Sequence, residues 1–289
     1  MMFVRLNAYW VLTKPTIMLL VAITGAAGLV LEGSLLDDPV KFTFALLLVS
    51  LAGGSANAFN QAFERERDSQ MERTRRKRPL PSGLISASEA FIVATTAGVV
   101  AVVSFWIWFN PLAALLSAGT IAFYAFFYTL YLKPRTPQNI VIGGAAGAMA
   151  PVIGWAAGSG TLGIEPVLLF LIIFFWTPPH FWALALCLRD DYRKVNLPMM
   201  PLIVGETATW RMIVVYAVLT IAVSGAMLFF GTGILYAIAA VGLGAMFMRK
   251  IFKAQNEQTL KSAWGVFGYS IVYLLVLFVA LIVDKGISL

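Results

Sequence analysis

At 289 residues the chain is 60% hydrophobic and only 12% charged, with a formal net charge of +7. Apolar windows of about 20 residues recur along its length, which excludes a soluble globular domain and implies a polytopic helical membrane protein. Their continuity argues against a β-barrel, and the single Cys187 rules out an intramolecular disulfide framework or a multi-cysteine metal site.

In chain order, residues 1–14 carry only Arg5 and Lys14 and lack the Arg/Ser-rich amphipathic character of a mitochondrial transit peptide. The apolar stretch that follows is read as a first span rather than a signal sequence. Nine spans are expected, at roughly 15–33, 42–63, 88–109, 111–132, 138–159, 165–187, 210–230, 233–250 and 264–283. Helix punctuation separates them: Pro39, then Pro79, Pro81 and Gly83, then Asn110-Pro111, Pro134 and Pro137, and finally Gly231 and Gly233. With the N-terminus in the cytoplasm, all but Lys41 and Lys285 of the 21 Lys/Arg fall on the cytoplasmic side. That asymmetry is the positive-inside pattern, so the net charge does not require nucleic acid as a partner. It indicates a lipid bilayer as surroundings, and a bacterial inner membrane as location. The chain is read as one membrane domain: a four-helix half over 15–132 with an acidic loop at 60–83, a second half over 138–250 with an acidic loop at 188–205, and a last helix at 264–283. Duplicated halves with a site between them are a known membrane architecture.

The stretch NAFNQAFERERDSQMERTRRKRPLPSG, 57–83, is the densest polar segment. At helical spacing Asn57, Asn60, Glu64, Asp68 and Met71 keep one face, whereas Glu66 points away from it. Amides and carboxylates that begin inside an apolar helix are functional candidates. Asn60, Glu64 and Asp68 offer the hard oxygen ligands that Mg²⁺ takes together with substrate phosphates. The following Arg/Lys run suits a diphosphate, although the same cations also serve to fix topology.

Four spans later LRDDYRKVNLPMMP supplies Asp190, Asp191, Tyr192, Arg193 and Lys194 at the same side, and Lys133 and Arg135 lie at the boundary after the fourth span. His180, the only histidine, sits in WTPPHFWALAL, where Pro178-Pro179 is expected to kink or break the helix and open a cavity. It is either a contact to a large acceptor or a histidine satisfied within the kink. Gly143, Gly147, Gly154 and Gly158 space small residues for close helix packing.

These segments together resemble the UbiA-superfamily intramembrane prenyltransferases, and most closely the branch that farnesylates protoheme IX. The superfamily's N-x3-D-x3-D is matched by Asn60, Glu64 and Asp68, with Glu64 where Asp is usual. Met71, Arg73, Thr74, Arg78, Pro79 and Leu80 continue it, with one residue more between Thr74 and Arg78 than the pattern has. Further matches are Tyr128, Thr129, Leu132, Lys133, Thr136, Asn139 and Ile140, then Gly143 to Ala148, Pro151, Gly154 and Trp155. Pro179 to Phe181, Asp191, Tyr192 and Pro198 to Pro201 complete the series, and Ala150 replaces one proline of the pattern.

The resemblance implies an all-α bundle of nine transmembrane helices around a central cavity. It implies Mg²⁺-dependent farnesyl transfer from farnesyl diphosphate to a vinyl group of haem B, with addition of water, giving haem O. It further implies a catalytic set of Asn60, Glu64, Asp68, Asp190, Asp191 and Tyr192, with Asn60, Glu64, Asp68 and Asp191 on the metal. Arg73, Arg78, Lys133, Arg135 and Lys194 would hold diphosphate, and His180 would contact haem. A downstream haem A synthase is an expected partner. The readings that compete are an aromatic prenyltransferase of quinone pathways in the same superfamily and a transporter. A transporter should carry polar groups near midplane in both halves, whereas here the carboxylates gather at one side.

Overall fold

The computed structural model describes residues 2–287, and among them all regular structure is helical. Nine helical spans among these residues are long and apolar enough to cross a membrane. They are α2 (Pro15–Glu32), α3 (Pro39–Gln70), α5 (Ala87–Trp108), α6 (Pro111–Ala122) with its continuation Phe123–Leu132, and the pair α7 (Asn139–Gly147) and α8 (Met149–Ser159). The others are α9 (Ile164–Cys187), α12 (Glu206–Ala226) with the 3₁₀ turn Met227–Phe229, α13 (Ile234–Glu257) and α14 (Leu260–Ile287). Short helices occupy the connections: α1 (Met2–Leu12), α4 (Glu72–Arg75), α10 (Arg189–Lys194) and α11 (Met200–Ile203).

Local sequence explains most boundaries. Pro39 and Pro111 start their helices at the one position where a missing N–H is harmless, and Asp38 and Asn110 cap them by accepting from Lys41 N and Ala113 N at 3.0 and 2.9 Å. Ser86 and Glu89 form a capping box on α5. The helices neighbour one another in the order α2, α3, α5, α6, α8, α9, α12, α13, α14, and α14 closes back on α2. Side chains exposed on the outer helices are apolar, such as Ile92, Val99 and Val103 on α5 and Ile238 and Val241 on α13, as lipid contact requires.

Close packing concentrates where α2 meets α8. A Cβ at Gly28 would collide with the backbone of Pro151, and one at Gly154 with the carbonyl of Gly25. Gly143 admits the ring of Tyr128 in the same way, whereas Gly147 faces open space and has no such duty.

Several expectations are corrected. The second span runs on to Gln70 rather than ending near 63, because its terminal carboxylates are buried and paired instead of solvated. Met71 leaves the helix with ψ 129°, yet stays buried. The fifth span is two helices with a break at Ala148, and the fourth ends in a π-helix over Phe123–Leu132. The eighth and ninth spans are longer than expected, and α1 was not anticipated. Pro178 and Pro179 do not break α9, which is continuous through them. Thr177 stabilises that turn by donating its hydroxyl to the Ile173 carbonyl at 2.8 Å.

Candidate active site

The polar face of α3 is buried: Asn57, Asn60, Gln61, Glu64 and Asp68 are each at most 6% exposed. Buried polar groups need partners, and these draw in segments from elsewhere in the chain. Gln61 Nε2 donates to the carbonyls of Val11 (3.2 Å) and Leu12 (2.9 Å), and Asn57 Nδ2 to that of Thr13 (3.4 Å). The two amides thereby clamp the corner between α1 and α2, where Lys14 takes a left-handed backbone with φ 55°. From that corner Lys14 Nζ donates to Asn60 Oδ1 at 3.0 Å. Burial of the amine, reinforced by Arg78, pulls its pKa down to about 7, with Glu64 opposing.

Glu64 is ion-paired with Lys133 and lies 3.5 Å from Arg78, which also pairs with Asp68. Burial opposes the charge on Arg78, but Asp68 and Glu64 more than offset it, so the guanidinium pKa is raised. Arg78 reaches inward because Thr74, on α4, donates its hydroxyl to the Asp68 carbonyl at 2.8 Å and folds the loop back on α3. Lys133 reaches Glu64 from the end of the π-helix, where Lys133 N donates to Tyr128 O at 2.9 Å. Three cations thus surround two carboxylates. Asp68 Oδ1 is buried and has no protein partner.

An aromatic wall adjoins the cluster. Tyr124 and Tyr128 stack at 5.1 Å, and both lie within electrostatic reach of Glu64. Tyr192, from α10, is buried and feels Arg73, Glu64 and Arg78; burial leads the causes that raise its pKa. Aromatic ring faces of this kind can stabilise a cation held against them.

Of the residues expected from sequence, the fold gathers Asn60, Glu64, Asp68, Arg78, Lys133 and Tyr192, with exposed Arg73 at the rim. Four expected residues take partners outside that set. Asp190 is 85% exposed and pairs with Arg193, and Lys194 pairs with Asp191 across 3.9 Å. Asp191 is largely covered and lies close enough to the buried Tyr192 to act on its hydroxyl. Arg135 covers the ring of Tyr131 at 4.6 Å and donates to the Leu130 and Tyr131 carbonyls, which keeps it off the cluster.

His180 is stacked between Trp176 (4.4 Å) and Phe267 (4.6 Å), with Nδ1 2.7 Å from Ser270 Oγ. That stack accounts for the ring within the α9–α14 seam without any ligand. Sequence reasoning assigned no site role to Lys14, Gln61, Tyr124, Tyr128 or Thr129. The available signals were a Lys-Pro pair heading the first span and a second amide one helical turn after Asn57.

The chain is similar to known proteins over most of its length. The UbiA prenyltransferase family model matches residues 21–282. A protoheme IX farnesyltransferase of Erythrobacter litoralis is 46% identical over 97% of this chain and 92% of its own length. One from Gloeobacter violaceus is 44% identical over the same shares. In solved structures the fold recurs in a digeranylgeranylglyceryl phosphate synthase (TM-score 0.80, 20% identity, 99% of both chains). It recurs also in a UbiA homolog from Archaeoglobus fulgidus bound to GPP and Mg²⁺ (TM-score 0.68, 15% identity, 95% of this chain and 99% of that one). A nine-span bundle with a buried carboxylate–cation cluster at one end, matched over most of its length by that family, belongs to the UbiA prenyltransferase family.

Proposed function

We propose that this chain transfers the farnesyl group of farnesyl diphosphate to a vinyl group of haem B with addition of water, giving haem O and diphosphate. The observation that carries the prenyl-transfer chemistry is the buried Asn60, Glu64 and Asp68 ringed by half-buried Lys14, Arg78 and Lys133 beside three tyrosines. The long, full-length similarity to protoheme IX farnesyltransferases supports the choice of substrates.

The cluster fits Mg²⁺. Its donors are hard oxygens, and Asp68 Oδ1 is a buried acceptor without a protein partner. Asn60, Glu64 and Asp68 would hold the ion, with Asp191 of the second acidic loop as the further ligand the family resemblance implies. When bound, Mg²⁺ supplies neutralisation of charge on the departing diphosphate. Arg78, Lys133 and Lys14 bind the same anion, and Arg73 receives it at the rim. Their positive charge stabilises the oxygen of the C1–O bond as it breaks. Tyr124, Tyr128 and Tyr192 present ring faces to the allylic cation and keep water from it. The vinyl β-carbon attacks C1 of the farnesyl group. Water adds to the cation left at the α-carbon and loses a proton, so no protein nucleophile is needed.

A haem contact at His180 would compete with Ser270 for Nδ1 or use the opposite ring edge. The excess of Lys/Arg at the site's end supports a cytoplasmic active site in a bacterial inner membrane. A haem A synthase is a fitting consumer of the product.

The test is to incubate membranes containing the chain with farnesyl diphosphate and either haem B or 4-hydroxybenzoate, and to read the extract by mass spectrometry. Farnesylated, hydrated haem is expected; prenylation of the benzoate alone overturns the reading. Lys14→Met is expected to raise KM for farnesyl diphosphate by about 10- to 100-fold, the worth of one charge-assisted contact. Its unfolding temperature should be no lower than wild type, because the amine is held among two other cations.

A further inference from the structure

We infer that Thr129 is a positioning residue that fixes which way the Asn60 amide faces, and through it the metal-binding oxygen. The inference rests on the metal and diphosphate reading of the α3 cluster. Thr129 lies in the π-helix Phe123–Leu132 and is 1% exposed. Its hydroxyl donates to the Tyr124 carbonyl, five residues back, at 2.7 Å. A hydroxyl has one proton, and with that proton committed it can only accept from other neighbours. Asn60 Nδ2 sits 3.1 Å from it and supplies the hydrogen.

The other end of the amide faces Lys14 Nζ at 3.0 Å from Oδ1, and in its ammonium form that group has donors only. The two neighbours therefore demand the same orientation. A flipped amide would set NH₂ against ammonium and a carbonyl against the hydroxyl's lone pairs. The π-helix makes this possible. Its wider turn carries the Thr129 hydroxyl onto the carbonyl five residues back, while Lys133 leaves the same helix toward Glu64. Thr129 thus holds Asn60 Oδ1 on the side of the charged cluster, as outer partners orient ligands at metal sites. It touches no substrate itself.

The test uses the purified full chain in lipid nanodiscs, with Mn²⁺ as a paramagnetic probe and a farnesyl diphosphate analogue whose C1–S bond does not break. Mn²⁺ affinity is read by electron paramagnetic resonance for wild type, Thr129→Val and Thr129→Ser, alongside each unfolding temperature without metal. Thr129→Val is expected to weaken Mn²⁺ by about 10- to 100-fold, the usual size of a lost outer-shell partner, and Thr129→Ser to restore wild-type affinity. If Thr129→Val does not fold, Thr129→Ala takes its place with the same expectation. The inference is overturned if the folded Val or Ala variant binds Mn²⁺ like wild type, even with a lowered unfolding temperature. It is overturned equally if Ser binds as weakly as Val. A wild-type chain that binds no Mn²⁺ beside the analogue sinks the metal reading of Asn60 itself, and the role of Thr129 with it.

Discussion

Asp68→Asn should lower kcat for haem O formation by about 10³ in a protein that still folds, on the scale of losing one preorganised electrostatic element of a buried site. The substitution keeps shape and volume and removes only the negative charge. In the unliganded protein that charge is shared unevenly: one oxygen accepts from Arg78, and the other has no partner. A carboxylate oxygen buried without a partner is costly unless something else binds it. Arg78 keeps Glu64 at 3.5 Å, so the loop retains an anchor, and Thr74 still ties it to the Asp68 carbonyl. Turnover is measured with purified protein at saturating farnesyl diphosphate, and folding is checked by thermal unfolding. Activity within a few-fold of wild type in the folded variant would remove Asp68 from the site.

Much of this was legible in the sequence because it depends on periodicity. Asn60, Glu64 and Asp68 share a face by helical spacing alone, and the nine apolar windows set the spans. What spacing cannot give is the direction of approach of other segments. Lys14 is 46 positions from Asn60 in the chain and reaches it only because Gln61 and Asn57 hold the α1–α2 corner. Lys133 and Arg135 are indistinguishable as letters, yet one ends the π-helix facing Glu64 and the other folds over Tyr131. The local rule for proline likewise anticipates a kinked or broken α9, and the helix runs unbroken through both prolines, packed against α12 and α14. Asp190 and Asp191 were adjacent in the chain and were read as a unit. Neighbours on a helix face different ways, and here Asp190 faces solvent while Asp191 is largely covered.

The pair Glu64–Lys133 decides whether these charges are structural or chemical, because removing one and removing both have opposite consequences for stability. Glu64 is 3% exposed and Lys133 14% by side chain, so each is largely withdrawn from water. Lys133→Met leaves Glu64 with only the longer contact to Arg78, and should destabilise the protein by about 3–5 kcal/mol, as breaking a buried ion pair from one side does. Glu64→Gln in the same chain removes the stranded charge and should recover most of that loss. Activity should not follow. With both gone, the site has lost a metal-binding carboxylate and a diphosphate-binding cation, and kcat/KM should stay at least about 10³ below wild type. Glu64→Asp asks a narrower question, since it restores the shorter acid usual at this position among the proteins the chain resembles. Its carboxylate keeps the charge and draws back by one methylene from Lys133. Retained turnover with lower thermal stability would assign the longer side chain to the ion pair with Lys133. A double variant that regains both stability and turnover would show that the pair only holds α3 to the π-helix, and would take Glu64 and Lys133 out of the chemistry.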